Sequence, residues 1–336
     1  MTSSTPSALP ATALCTLLGC ELPIVLAGMG GVARAELAAA VSAAGGFGIL
    51  GMVREPVALL RSEVTKVRRT TQARFGVNLI PAATPAPLLE AQIDACIELG
   101  VPVVELFWDV LPAVVRRLVD AGITVLYQVG SAEHARAAQD AGAHALVAQG
   151  HEAGGHVWAR APLAQVLGDV LRVAQVPVAA AGGIAHGRDI RRVLAQGAQA
   201  AVLGTAFIAS IESFAHPHHK QRLIEARATD TLLTESFHVN WPAHAPVRVL
   251  QSAVTRGERG DPRQPQRTVI GDEEGRPIYL FSTDSPLRSM TGDFEAMALY
   301  AGEGVEHVRR VEPAAACIAR LLREAAQSNS ATSKNP

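Results

Sequence analysis

Short apolar runs alternate along the chain with longer segments whose apolar residues recur at helical spacing. The runs are 23–28 (PIVLAG), 47–51 (FGILG), 74–80 (RFGVNLI), 101–108 (VPVVELFW), 124–129 (TVLYQV), 145–150 (ALVAQG), 177–182 (PVAAAG) and 200–205 (AAVLGT). Each has strand length and is apolar at consecutive positions, as a strand buried on both faces must be. Segments 36–41, 87–99, 111–121, 133–141, 162–174 and 188–196 predict helices, and Gly45, Gly100, Gly122, Gly142 and Gly197 stand where a left-handed helix stop is expected. Eight such alternations predict parallel β/α units. The number favours a closed (β/α)8 barrel over an open doubly wound sheet, with functional groups gathered after the C-terminal strand ends.

The alternation stops near residue 205. This predicts a barrel over 13–210 plus 311–326, the helical stretch from 313 to 325 returning as its last helix. Residues 211–310 are expected to form an inserted, mainly helical lid over the barrel mouth, with flexible termini at 1–12 and 327–336. Hydrophobic residues make up 49% and charged residues 18%, enough apolar material for a large core. The net charge of −1 gives no global field for nucleic acid or an anionic membrane. No apolar run approaches the roughly 18 residues of a membrane helix. The first basic residue is Arg34, so no secretory n-region is visible, and a cytoplasmic enzyme is expected. Oligomeric state is left open, a homodimer being one option. Cys15, Cys20, Cys96 and Cys317 form no C-x-x-C pair and read as core residues or inert thiols, and no metal is expected.

Candidate chemistry clusters at the strand ends. Gly182-Gly183 after the seventh run and Leu203-Gly204-Thr205 after the eighth let backbone N–H groups approach an anion, and these are the usual phosphate loops of a barrel. After the sixth run, Gly154 and Gly155 allow close approach to a flat ring or anion. His156 beside them can exchange a proton near neutral pH, with His151 as its competitor. Gly28-Met29-Gly30 is no Rossmann fingerprint: Ala33 and Val53 stand where a third glycine and an acidic residue belong. These glycines suit backbone lying against a ring. Asn78 and Gln128, at the ends of the third and fifth runs, can bond a polar ring edge. Glu105 and Asp109 flank the fourth strand end, Asp109 reading as a helix cap. His216, His218 and His219 lack a ligand partner at metal spacing, and no G-x-S-x-G elbow supports hydrolysis.

In combination, PIVLAGMGGVA, ELAAAVSAAGGFGILG, FGVN, AQGHEAGGH, PVAAAGGIAHGRDI, VLGTAFIAS and the late LYAGEGV resemble the nitronate monooxygenase family, formerly the 2-nitropropane dioxygenases. The likeness runs from about Leu22 to Ser210 and again from Leu299 to Val305. It implies a TIM barrel with an inserted domain and non-covalent FMN, held by Met29, Asn78, Gln149, Gly154, Gly183 and 203–205. It casts His156 as catalytic base or substrate-binding group. The implied reaction takes an alkyl nitronate, or a nitroalkane, with O2 to a carbonyl compound and nitrite. Two motifs depart from the family pattern. Ala27-Gly28-Met29 replaces Ala-Pro-Met, and Val202–Phe207 (VLGTAF) replaces Gln-Met-Gly-Thr-Arg-Phe, which bears on substrate identity. The same barrel serves NAD(P)H-dependent enoyl-acyl-carrier-protein and quinone reductases. The stretch 214–220 and Glu225-Ala226-Arg227 resemble the enoyl reductase, a second reading. A flavin-free phosphate-ligand or isomerase barrel is a third.

Overall fold

The computed structural model describes residues 9–332 apart from 243 and 264–266. The expected loose ends at 1–8 and 333–336 lie outside the described residues. All eight runs form strands: β1 (Ile24–Leu26), β2 (Gly48–Gly51), β3 (Phe75–Leu79), β4 (Val103–Phe107), β5 (Thr124–Val129), β6 (Ala145–Gln149), β8 (Val178–Ala181) and β9 (Ala200–Leu203), with a two-residue β7 (Gly155–His156) outside the ring. They form one parallel sheet in the order β1-β9-β8-β6-β5-β4-β3-β2. A parallel bridge between Val25 and Phe47 closes it. There Phe47 N donates to Ile24 O and Leu26 N to Phe47 O, both at 2.9 Å.

Alternation along each strand builds two apolar layers. Val25, Ile49, Val103, Leu126, Val147 and Val202 fill the barrel interior with Leu14 and Leu18 of α1 (Ala13–Leu18), which plugs the N-terminal end. Ile24, Leu26, Leu106, Leu146 and Leu203 face the surrounding helices. Each fully buried aliphatic side chain of this kind contributes about 2 kcal/mol. The surrounding helices are α2 (Ala35–Ala43), α3 (Val57–Thr70), α4 (Ala86–Glu98), α5 (Pro112–Asp120), α6 (Ala132–Asp140), α7 (Leu163–Leu171) and α8 (Gly187–Ala195). The five helix-stop glycines all have positive φ: Gly45 87°, Gly100 56°, Gly122 78°, Gly142 106° and Gly197 107°.

After the short α9 (Thr205–Ile208), α11 (Ala314–Thr332) packs on α8 and α2. Glu324 Oε2 accepts from Gly187 N at 2.9 Å. Packing also reaches into the N-terminal stretch read as flexible. Leu9 is buried, and Thr12 Oγ1 caps α1 and donates to Gln199 O at 2.6 Å.

Residues 211–310 depart from the mainly helical expectation. Their described residues hold one α-helix, α10 (Pro217–Glu225), and five strands: β10 (Thr231–Thr234), β11 (Val247–Leu250), β12 (Val269–Glu273), β13 (Arg276–Tyr279) and β14 (Met290–Gly292). Their prolines and glycines break any helical period, and the strands find partners by distant pairing. One of those partners is β7, so β10-β11-β7 ties the lid to the loop after β6.

Candidate active site

A cavity of about 1080 Å³ lies at the C-terminal ends of the barrel strands, beneath the lid. Of the residues singled out from the sequence, Gly28, Met29, Asn78, Gln128, Gln149, Gly154, Gly155, His156, Gly182, Gly183, Gly204 and Thr205 line it. Leu203 does not. Its alternation points the side chain into the helix layer, and its carbonyl accepts from Ala27 N at 3.0 Å. His151 is also outside the wall. Its carbonyl accepts from Arg248 Nε at 2.9 Å.

Below the first loop, Asn78 Nδ2 donates to Glu105 Oε2 at 3.0 Å across the β3–β4 pair. Both side chains are buried, and Asn78 Oδ1 and Glu105 Oε1 have no partner. Burial pushes the Glu105 carboxyl up to about 7, against the lowering effect of its bonds to Asn78 and the Gly28 backbone. Glu105 thus pairs with Asn78 rather than Asp109. Nor does Asp109 cap α5: the cap position is Leu111. Gly28 makes this floor possible. A Cβ there would sit 2.2 Å from Asn78 Cβ and 2.7 Å from Glu105 Oε2.

The far wall is built from backbone. Gly182 and Gly183 have φ of 129° and 65°, a conformation that disfavours side chains. The late Gly302-Glu303-Gly304 segment docks on the loops after β6, β8 and β9. Glu303 N donates to Glu152 O at 3.0 Å, and Gly302 N donates to Thr205 Oγ1 at 2.9 Å. A Cβ on Gly304 would meet Gly183 O at 2.5 Å. Gln149 has a different role from a free ring contact. Its Nε2 donates to His156 O at 3.0 Å and its Oε1 accepts from Trp158 N at 3.3 Å, so it braces the segment that carries the histidine.

His156 sits on β7, held by antiparallel pairing with Val247. It is 9% exposed, and its Nε2 has no partner. The ring stacks on Trp241 with centroids 3.5 Å apart and 12° between planes. Burial, then the nearby Arg54 charge, holds its pKa well below the usual 6.5, so it is neutral at physiological pH. A chain of ring contacts continues from Trp241 beyond the residues that line the cavity. Trp241 meets Trp108 edge-on at 5.8 Å, Trp108 stacks on Trp158 at 5.7 Å, and Trp158 stacks on His134 at 3.4 Å.

Arg54, Trp241 and Tyr300 also line the cavity and went unnoticed in the sequence. Arg54 could have been found from its place just after the second run, where strand-end loops gather. Trp241 lies in an aperiodic lid segment that gives no such signal, while Tyr300 falls in the LYAGEGV motif, which marked the segment without pointing to the tyrosine. Of the late histidines only His219 reaches the cavity lining, its Nε2 meeting Tyr300 O at 3.0 Å, while His216 Nδ1 accepts from His218 N and His218 Nε2 meets Glu295 at 2.7 Å. Among the described residues, no helix is long and apolar enough to cross a membrane.

A sequence model described as nitronate monooxygenase matches residues 11–324. A probable nitronate monooxygenase of Staphylococcus aureus is 30% identical over 67% of this chain and 75% of that protein. A 5-hydroxy-7a-methyl-1-oxo-octahydro-1H-indene-4-carboxyl-CoA dehydrogenase of Rhodococcus jostii is 35% identical over 66% of this chain, and the match spans 62% of that relative's length. Among solved structures, a nitroalkane oxidase of Streptomyces ansochromogenes superposes with a TM-score of 0.78 at 32% identity, covering 96% of this chain and 100% of the other. FabK of Thermotoga maritima superposes with a TM-score of 0.80 at 29% identity, covering 96% and 98%.

Proposed function

Because the chain belongs to the nitronate monooxygenase family, we propose that this oxidoreductase holds FMN without a covalent bond in the barrel-mouth cavity and oxidises an alkyl nitronate with O2 to a carbonyl compound and nitrite. The observation that carries the reading is His156: a buried, neutral imidazole with a free Nε2, set in the same cavity as the glycine loops.

The residues fit a flavin mononucleotide. The cavity exceeds what one mononucleotide fills, its floor carries the unpartnered Asn78 Oδ1 and Glu105 Oε1, and its far wall is a backbone cradle. Gly182, Gly183 and Gly204 would hold the phosphate, and Met29, Asn78 and Gln128 the ring. The bound cofactor supplies the electron-transfer chemistry, which no protein side chain here provides. The chain contributes placement and proton control. The stack on Trp241 and the β7–β11 pairing fix the imidazole, and Nε2 can accept a proton or donate a hydrogen bond according to tautomer. A base with so depressed a pKa removes a proton from a neutral nitroalkane poorly. A nitronate, already ionised, is therefore the better substrate.

The second reading, an NAD(P)H-dependent reductase, is supported by the likeness to FabK and by cavity room beyond one mononucleotide. Oxygen-free mixing separates the two. Ethylnitronate is expected to bleach the flavin, with nitrite released in air, while NADH leaves the spectrum unchanged. Rapid bleaching by NADH with no nitrite from the nitronate would establish the reductase instead.

A further inference from the structure

The loop between β2 and α3 places an arginine where glycine is favoured. Arg54 has φ 57°, a conformation that side chains adopt at a cost and that collects at functional sites. Its guanidinium crosses to the lid, donating to the Asn240 carbonyl and, at 3.0 Å, to Thr283 Oγ1. Both acceptors are neutral. The adjacent carboxylates are committed elsewhere: Glu55 to Arg34 at 3.1 Å and Asp284 to Arg276 at 2.9 Å. No ion pair to Arg54 forms among the described residues, although burial works against its charge. An arginine stays protonated under such pressure. The cavity wall thus carries a positive charge to which no carboxylate is directly paired, Asp284 and Glu55 acting on it only through their longer-range field.

Two further groups beside it are unspent. Trp241, the residue after Asn240, has a buried Nε1 hydrogen without an acceptor. His156, stacked against Trp241, has its unpartnered Nε2 and is itself more than nine-tenths buried. An unpaired cation and unused donors are costly to bury unless a ligand completes them.

We propose that Arg54 is the specificity-determining residue of this site, binding the negative charge of a small planar oxyanion, with Trp241 Nε1 donating beside it. This rests on the reading above, in which the substrate is a nitronate, and it makes charge the basis of selection over the neutral nitroalkane.

The test uses the flavin-loaded enzyme and nitrate, a planar monoanion of the same shape as the nitronate head. Calorimetric titration of wild type should show saturable binding. Arg54→Gln, which keeps a donor for the Asn240 carbonyl, should weaken it about 10–100-fold, while Arg54→Lys stays within about tenfold of wild type. With ethylnitronate, Arg54→Gln should raise KM far more than it lowers kcat, and flavin content should not change. The nitrate arm stands even where the wild type oxidises no nitronate, so failure of the substrate reading and failure of this proposal are distinct. Equal nitrate affinity in wild type and Arg54→Gln, no nitrate binding by wild type, or loss of flavin with the arginine would each overturn it, the last assigning Arg54 to the cofactor phosphate. Where Arg54→Gln does not fold, Trp241→Phe keeps the stack and removes the donor. Weaker nitrate binding then supports the pocket, and unchanged binding refutes it.

Discussion

Asn78 and Glu105, on neighbouring barrel strands, share one hydrogen bond of 3.0 Å and each leaves one oxygen without a partner. The pair is the polar floor of an otherwise apolar barrel, and it makes Glu105 a titrating group inside the fold. Its carboxyl lies at about 7, against 4.5 in the unfolded chain. The folded state therefore holds its proton more tightly. Stability from this group is full below pH 4.5 and is lost as pH rises through about 7. Glu105→Gln keeps an acceptor for Asn78 Nδ2 and offers a donor to Asn78 Oδ1. Denaturant unfolding at pH 8 should show the variant more stable than wild type, by an amount of order 3 kcal/mol, with the difference vanishing near pH 4.5. A constant difference across that range would show that Glu105 does not titrate there.

Gly28 and Gly168 should respond oppositely to alanine. At Gly28 the methyl group would overlap Asn78 and Glu105. Gly28→Ala should cost about 1–3 kcal/mol and strip most of the flavin. Gly168 lies inside α7 with nothing within 4 Å of a built Cβ. Gly168→Ala should gain about 0.5–1 kcal/mol and leave flavin content alone. Thermal unfolding and the ratio of flavin to protein absorbance check both.

Gly304→Ala tests the docking of the late glycine segment. A Cβ 2.5 Å from Gly183 O must push that segment off the loop after β8. FMN affinity should fall about tenfold or more, a loss comparable to one good hydrogen bond. An unchanged affinity, measured by fluorescence quenching, would separate this segment from the cofactor loops.

His156→Gln should keep the flavin and, with ethylnitronate, lose turnover by about tenfold, the worth of one hydrogen bond from Nε2. The same histidine, with His219 at about 4, affects acid stability. Burial depresses both pKa values, so the stability they confer is present above the unfolded value of 6.5 and is lost as pH falls below it, for His219 through about 4. His219→Gln, whose amide can still donate to Tyr300 O, should flatten the decline between pH 6.5 and 4. Unfolding curves across that window give the answer.

The barrel was legible because its code is local: consecutive apolar positions, then helical spacing, then a glycine stop. The helix α3 escaped that reading because Arg61, Glu63, Lys66, Arg68 and Arg69 dilute its apolar positions Leu60, Val64 and Val67. The lid was misread because its strands are held by distant partners, as Val247 is by His156, and such pairings leave no period in either segment. Within the site, positions fixed by backbone, such as Gly28 and Gly183, were visible as glycines next to strand ends. Leu203 was carried along with Gly204 although strand alternation turns it outward. Arg54, Trp241 and Tyr300 come from loops that converge only in three dimensions.

The most direct test of the account is a comparison of FMN and riboflavin binding to apoprotein by fluorescence quenching. The glycine loops after β8 and β9 should make FMN bind at least about 100-fold tighter than riboflavin, at one per chain, because charge-assisted bonds to the phosphate are absent from the nucleoside analogue. Equal affinities, or a protein that quenches neither, would contradict the assignment of this cavity to a flavin mononucleotide.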